Sequence, residues 1–165
     1  MKYIKLTQGK RALVDNEDFE WLNQWRWTYL SGYAVRHQQK KEYGNNSRKM
    51  VKMHRVINKT PIDLYTDHCN QNRLDNRKIN LRTATNSQNQ ANVKLLNNIN
   101  GYRGVCKYIH NYNEKKPWAA RIKVKGKGVF KGMFYSKEEA ALAYNELAIK
   151  YFGEFANLNQ IRRII

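Results

Sequence analysis

A chain of 165 residues, 41% hydrophobic and 12% aromatic, has the material for one or two small folded domains and is no disordered polypeptide. Its 31 Lys and Arg against 13 Asp and Glu leave a formal charge of +18, a field that a polyphosphate needs and a small neutral substrate does not. An anionic membrane is set aside, because no long basic amphipathic helix, apolar span or signal segment is present; the expected compartment is the cytoplasm.

The excess charge is spread along the chain. Residues 1–100 hold 18 basic and 8 acidic groups (+10) and residues 101–165 hold 13 and 5 (+8), so both parts are expected to meet nucleic acid. Tyr3-Ile4-Lys5-Leu6 alternates as a short strand, Gly9-Lys10 reads as a turn, and Arg11–Val14 continues as a second strand. Asp15, with Asp18 three residues on, is placed to cap a short helix through Phe19, Leu22 and Asn23. Trp25, Trp27 and Tyr29 recur at period two, before a Ser31-Gly32 turn and Tyr33-Ala34-Val35-Arg36, which predicts a hairpin with an aromatic face. Aromatics among Lys and Arg can stack on bases, but in a module this small they are expected to form the core. His37–Lys49 is a polar stretch around Gly44-Asn45-Asn46, either mobile or laid along phosphates. From Met50 to Ile57 basic and apolar residues alternate. His54, within that stretch, is expected to be a packed or hydrogen-bonded histidine rather than a second catalytic one. Pro61 ends the element.

The stretch Thr66–Asn92, TDHCNQNRLDNRKINLRTATNSQNQAN, carries the chemistry. Asp67-His68 sets a carboxylate beside an imidazole; Asn80 follows twelve residues after His68, and Asn89 nine further on. The Asn- and Arg-rich loop between His68 and Asn80 is expected to be too hydrophilic for a core. Thr85 with Gln88 has the form of a capping box, so a helix should start near Thr85 and carry Asn89 and Asn92 on one face. A carboxylate and an amide carbonyl are hard oxygen donors suited to magnesium or manganese. A neutral imidazole next to them can take a proton from water, a recipe for metal-assisted phosphodiester hydrolysis. The two cysteines, Cys69 and Cys106, form no Cys-x-x-Cys pair. Neither zinc nor a disulfide framework is therefore expected, and Cys69 reads as a small filler.

Asp67-His68, Asn80 and Asn89, with HRVIN before them and LRTATNSQNQAN after, resemble the Asp-His/Asn/Asn variant of the HNH motif of phage and intron-borne homing endonucleases. The resemblance implies a two-strands-and-helix (ββα) metal finger over about residues 62–92. It also implies His68 as general base, Asp67 and Asn89 as metal ligands, and Asn80 pinning the loop that presents His68.

Val93–Asn100 reads as a tether. Beyond it, Tyr102–Val105, Trp118–Val124 and Gly128–Tyr135 are predicted strands. Ser136 with Glu139 forms a second capping box, followed by Ala140, Ala143, Tyr144, Leu147, Ala148 and Tyr151 at helical spacing and by Gly153 as a stop. Period-two alternation predicts Arg121, Lys123 and Lys125 on one sheet face, with Ala120, Ile122 and Val124 toward the helix. YRGV at 102–105, WAARI at 118–122, GVFKGMF at 128–134, the 136–153 helix and Ala156–Asn159 resemble the DNA-binding domain of plant ethylene-responsive (APETALA-type) factors. In that family a three-stranded sheet enters the major groove; Arg103, Lys123 and Phe130 stand at contact-type places. Cys106 and Tyr108 stand where the plant proteins usually carry arginines and Arg121 replaces a common glutamate, so their target sequence does not carry over.

The fold class expected is α+β: a mixed N-terminal module with the metal finger (1–92), a linker (93–100), and a three-stranded antiparallel sheet packed on one helix (101–160). The function expected is a site-directed DNA endonuclease of a phage or mobile element, acting in a bacterial or phage-infected cell. Its catalytic residues are His68 and Asn80, its magnesium or manganese ligands Asp67 and Asn89, and its DNA contacts Arg103, Tyr108, Arg121, Lys123, Lys125 and Phe130. The partner is double-stranded DNA, with no obligatory protein partner; a monomer or weak dimer with one metal per finger should nick one strand. The alternatives are a non-catalytic DNA-binding regulator, which a His68→Ala comparison separates, and a basic RNA-binding protein.

Overall fold

The computed structural model describes residues 1–39, 49–93, 100–108 and 115–161, and within it the chain divides into two units, Met1–Asn86 and Ser87–Ile165. The Gly44-Asn45-Asn46 loop and most of the 93–100 tether lie outside the described residues.

The first unit is built from short antiparallel pairs. Strands β1 (Lys2–Lys5) and β2 (Arg11–Val14) pair from Lys2↔Val14 to Lys5↔Arg11 and turn Ile4, Ala12 and Val14 inward. Helix α1 (Asn16–Asn23) buries Leu22 completely. Asp15 holds its N-cap position, but the carboxylate is diverted: it accepts from the backbone N–H of Lys78 at 2.8 Å. The expected cap is thereby exchanged for a tie across the unit. Strands β3 (Thr28–Leu30), β4 (Tyr33–His37) and β5 (Met50–Lys52) form a sheet in that order. Trp25 and Trp27 precede β3 rather than extending it. Trp27 is 2% exposed and donates its indole N–H to the Leu22 carbonyl at 2.8 Å, so the aromatic repeat is core. Burying such a side chain contributes roughly 2–3 kcal/mol.

The alternation after Met50 does not continue as strand. From Met53 the chain is helical, α2 (Met53–Ile57), and buries Met53, His54 and Ile57, the i, i+1 and i+4 positions of one helical face. The Arg55 guanidinium closes this region by donating to the Leu64, Thr60 and Pro61 carbonyls. Strands β6 (Tyr65–His68) and β7 (Leu81–Ala84) then form an antiparallel pair, joined through a loop and a 3-10 turn at Lys78–Asn80.

Helix α3 (Asn86–Asn92) follows β7 directly after Thr85 and carries the chain into the second unit. There β8 (Val105–Lys107), β9 (Trp118–Val124) and β10 (Lys127–Phe134) make an antiparallel sheet in the order β10-β9-β8. Helix α4 (Lys137–Phe152) covers one face through Ala140, Ala143, Tyr144, Leu147 and Ala148. The cap is as predicted: Ser136 Oγ accepts from the Glu139 N–H at 3.1 Å and Glu139 reaches back to the Tyr135 N–H at 3.2 Å. Tyr151, the last residue of the helical series, is 39% exposed.

The first strand starts at Val105 rather than Tyr102 because Gly104 has φ +68. A Cβ on Gly104 would sit 2.0 Å from the Tyr144 ring and 2.5 Å from the Arg121 carbonyl. Glycine is therefore required here for the close approach as well as for the left-handed backbone. Asn159 ties the end of the unit to its start: Oδ1 accepts from the Arg103 N–H at 2.7 Å and Nδ2 donates to the Arg103 carbonyl at 3.0 Å. Among the described residues no helix is long and apolar enough to cross a membrane.

Candidate functional site

Strand β6 ends on Thr66-Asp67-His68, three polar residues that are all buried. Their burial is possible because each has a partner. Asp67 lies opposite Arg82 in the strand register, and Arg82 Nε and Nη2 reach Asp67 Oδ2 at 2.9 and 2.8 Å. A buried carboxylate without such a countercharge would cost several kcal/mol. His68 lies opposite Leu81 and sits among other rings: the His54 ring centroid is 5.0 Å away, edge-on, and that of Tyr33 is 6.2 Å away. His68 Nε2 lies 3.4 Å from Asn76 Oδ1.

Burial pushes the His68 pKa below the ordinary value of 6.5, outweighing the Asn76 contact and the Asp67 and Asp75 charges, which act the other way. Burial likewise lowers His54 to about 3, helped by His68, Lys52, Arg55 and Arg73. Both imidazoles are neutral at physiological pH. His54 is thus the packed histidine expected, 5% exposed, with its Nδ1 unsatisfied among the described residues.

The loop after His68 is where the sequence reading fails most informatively. Its polar residues form a buried network: Asp75, Asn76 and Asn80 are 4%, 1% and 5% exposed. Asn80 Oδ1 accepts from the Asn70 N–H at 2.9 Å, Asn80 Nδ2 donates to the Asp75 carbonyl at 2.7 Å, and the Asn80 carbonyl accepts from the Cys69 N–H at 2.9 Å. One amide thereby holds both ends of the loop immediately after His68. Arg77 grips Asp75 with two hydrogen bonds, 2.8 and 2.7 Å, which hold that carboxyl below its usual range. The Asp75 side chain also accepts from Asn70 Nδ2 at 2.9 Å. Leu13 donates to the Leu74 carbonyl and Asn76 to the Leu13 carbonyl, both at 2.8 Å, so the loop is stitched to β2. Cys69 is exposed and fills no core position.

Asp67, His68 and Asn80 are thus brought together in the first unit. Asn89 is half-buried on α3, in the second unit. Among the described residues no three His, Cys, Asp or Glu side chains cluster as a metal cage. The donors at hand are the buried Asp67 carboxylate and amide carbonyls, hard oxygens that fit a cation keeping much of its water, as magnesium does. Arg82 would have to share Asp67 Oδ2 with such an ion. Arg82 and Asn76 were missed by the sequence reading. Arg82 was recoverable from the pairing of β6 with β7, whereas Asn76 carried no signal among so many asparagines.

In the second unit the sheet face opposite α4 carries most of the expected contacts. Phe130 is paired with Arg121, Gly128 with Lys123, and Cys106 with Ala119, so their side chains share one face. Arg121, Lys123 and Tyr108 are exposed, and Phe130 is 56% exposed. Lys125 leaves this row: it and Gly126 have φ +47 and +83 and form the β9–β10 turn, as a two-residue type I′ hairpin demands. Arg103 is half-buried and directs its guanidinium to the Val93 carbonyl, away from the row.

No family model matches the chain, so the APETALA-type likeness rests on the residues quoted for it. Over 162 residues, 93% of this chain and 77% of the relative, the sequence is 32% identical to a protein of Acanthamoeba polyphaga mimivirus named "Uncharacterized HNH endonuclease L560".

Proposed function

Since the chain belongs to the HNH endonuclease family, we propose that it is a metal-dependent DNA endonuclease whose general base is His68. The observation that carries this reading is the setting of that imidazole: buried, which favours its neutral form, and next to a buried carboxylate at the head of a loop pinned by Asn80. A general base must be unprotonated at working pH and held in one orientation. In the tautomer whose Nε2–H donates to Asn76 Oδ1, 3.4 Å away, the basic lone pair is on Nδ1. That atom takes the proton of the attacking water. Asp67 and, from the spacing of the motif, Asn89 are the proposed oxygen donors to magnesium or manganese. When bound, the cation supplies charge neutralisation at the scissile phosphate and the leaving 3′ oxygen. Asn80 is a positioning residue, since its bonds go to the loop backbone.

The sheet face bearing Tyr108, Arg121, Lys123 and Phe130 is proposed to lie against duplex DNA, in the manner of the APETALA-type domain. A narrow antiparallel ribbon fits the major groove. One catalytic finger implies nicking of one strand. A homing role in a phage or mobile element rests on the likeness of the motif alone. The competing reading, a DNA-binding regulator without activity, is favoured by one observation: Arg82 already occupies Asp67 Oδ2. Conversion of supercoiled plasmid to nicked circle separates the two. Conversion in magnesium or manganese and none in EDTA is expected; no conversion in any divalent cation rejects the enzyme.

A further inference from the structure

Beside His68 two cations share one aromatic ring. Lys52 Nζ lies 4.9 Å from the centroid of Tyr33, and Arg73 Cζ lies 4.7 Å from it. The same ring stands 5.0 Å from His54 and 6.2 Å from His68. Lys52 comes from the end of β5 and Arg73 from the loop after β6, two segments with no local reason to meet. Arg73 is further fixed by donating to the Ser31 carbonyl at 3.3 Å and by crossing Gly32, where a Cβ would meet its side chain at 3.3 Å.

Neither cation has a carboxylate partner among the described residues. Lys2, Arg77, Lys78, Arg82 and Lys131 each do. Two like charges held on one ring repel each other, and a cation–π contact at an accessible site offsets little of that. An anionic oxygen cluster within reach of both would satisfy them, and a backbone phosphate is such a cluster. The ring that carries both side chains stands 6.2 Å from the His68 ring, so a phosphate they held would lie on the histidine's side of the unit.

We propose that Lys52 and Arg73, carried on Tyr33, form a phosphodiester clamp that seats the DNA backbone against His68. This rests on the reading of His68 as the base, but it adds a binding site whose ligand is a DNA phosphate. The clamp is blind to sequence, so recognition stays with the sheet of the second unit.

The test uses the full chain and a short duplex. Binding is measured against salt concentration in EDTA, and single-turnover nicking in magnesium, for wild type, Lys52→Gln, Arg73→Gln, the double variant and His68→Ala. Each glutamine variant should flatten the slope of log affinity against log salt by about 0.9 and slow nicking about tenfold or more. Lys52→Arg and Arg73→Lys should restore most of both, and His68→Ala should keep the full slope while losing nicking. A double variant with the wild-type slope overturns the clamp, whatever its nicking rate. A flattened slope with undiminished nicking also overturns it, since the cations would then touch DNA away from the reacting phosphate. If wild type does not nick, the base assignment falls and the slope alone decides the clamp. Unfolding temperatures matching wild type to within a few degrees show that the variants are folded.

Discussion

Replacing Asn80 by alanine asks whether one amide holds the loop behind His68. The side chain accepts from the Asn70 N–H at 2.9 Å and donates to the Asp75 carbonyl at 2.7 Å. Truncation removes both bonds and leaves two main-chain groups unpaired in a site where Asn80 itself is 5% exposed. At about 1–2 kcal/mol for each group, the loss is about 2–4 kcal/mol. Set against a total stability of about 5–15 kcal/mol, the unit stays folded but weakened. Urea unfolding reads this as a lower midpoint with an unchanged slope. Nicking below the transition should fall by about tenfold or more, because a small displacement of a reacting group is costly. Asn80→Asp is the sharper variant. It keeps the acceptor for Asn70 but turns a carboxylate toward the Asp75 carbonyl, so it should be worse than alanine at neutral pH. Its pKa is raised by that contact, so stability returns as pH falls and the acid becomes a donor. An alanine variant within about 0.5 kcal/mol of wild type, and equally active, refutes the pinning argument.

Gly104→Ala should destabilise the second unit by about 2–4 kcal/mol, combining left-handed backbone with overpacking against Tyr144. Calorimetry should show its transition lowered by more than about 10 °C, and an unchanged transition contradicts the packing. The acid limb of the rate–pH profile should lie below pH 6.5, because a base with a lowered pKa stays unprotonated further into acid; a limb above 6.5 contradicts the burial of His68. Arg121→Gln should weaken duplex binding by about 1–3 kcal/mol if it meets a base, and Lys123→Gln should lower the salt slope by about one. Equal affinity and slope for both variants would remove the sheet face from the interface.

Strong periodicity and capping chemistry were legible in the sequence. The Trp118–Val124 strand and the Ser136-capped helix emerged with the predicted bounds nearly intact, because alternation, a Ser/Glu box and a glycine stop all agree there. What failed was polarity used as a guide to burial. Asp75, Asn76 and Asn80 look like a solvated loop, yet they are buried: Asp75 is gripped by Arg77, Asn80 bonds back to Asn70 and Asp75, and the Asn76 N–H reaches the distant Leu13 carbonyl. The cap at Asp15 was lost for the same reason, to the N–H of Lys78, 63 residues away in sequence. The alternation of Met50–Ile57 fitted a strand as well as a helix over so few residues, and tertiary packing of Met53 and Ile57 decided. At the site, the Asp67-His68 pair and Asn80 were visible as a spaced motif. Arg82, Asn76 and the Tyr33 ring that complete their surroundings required the strand register and the fold.

The most direct measurement is the single-turnover nicking rate of wild type and His68→Ala in magnesium, with both proteins shown by thermal unfolding to be folded. Loss of a positioned base predicts a rate lower by about 10²–10⁴-fold with duplex affinity retained. A folded His68→Ala protein that nicks at the wild-type rate would contradict the account.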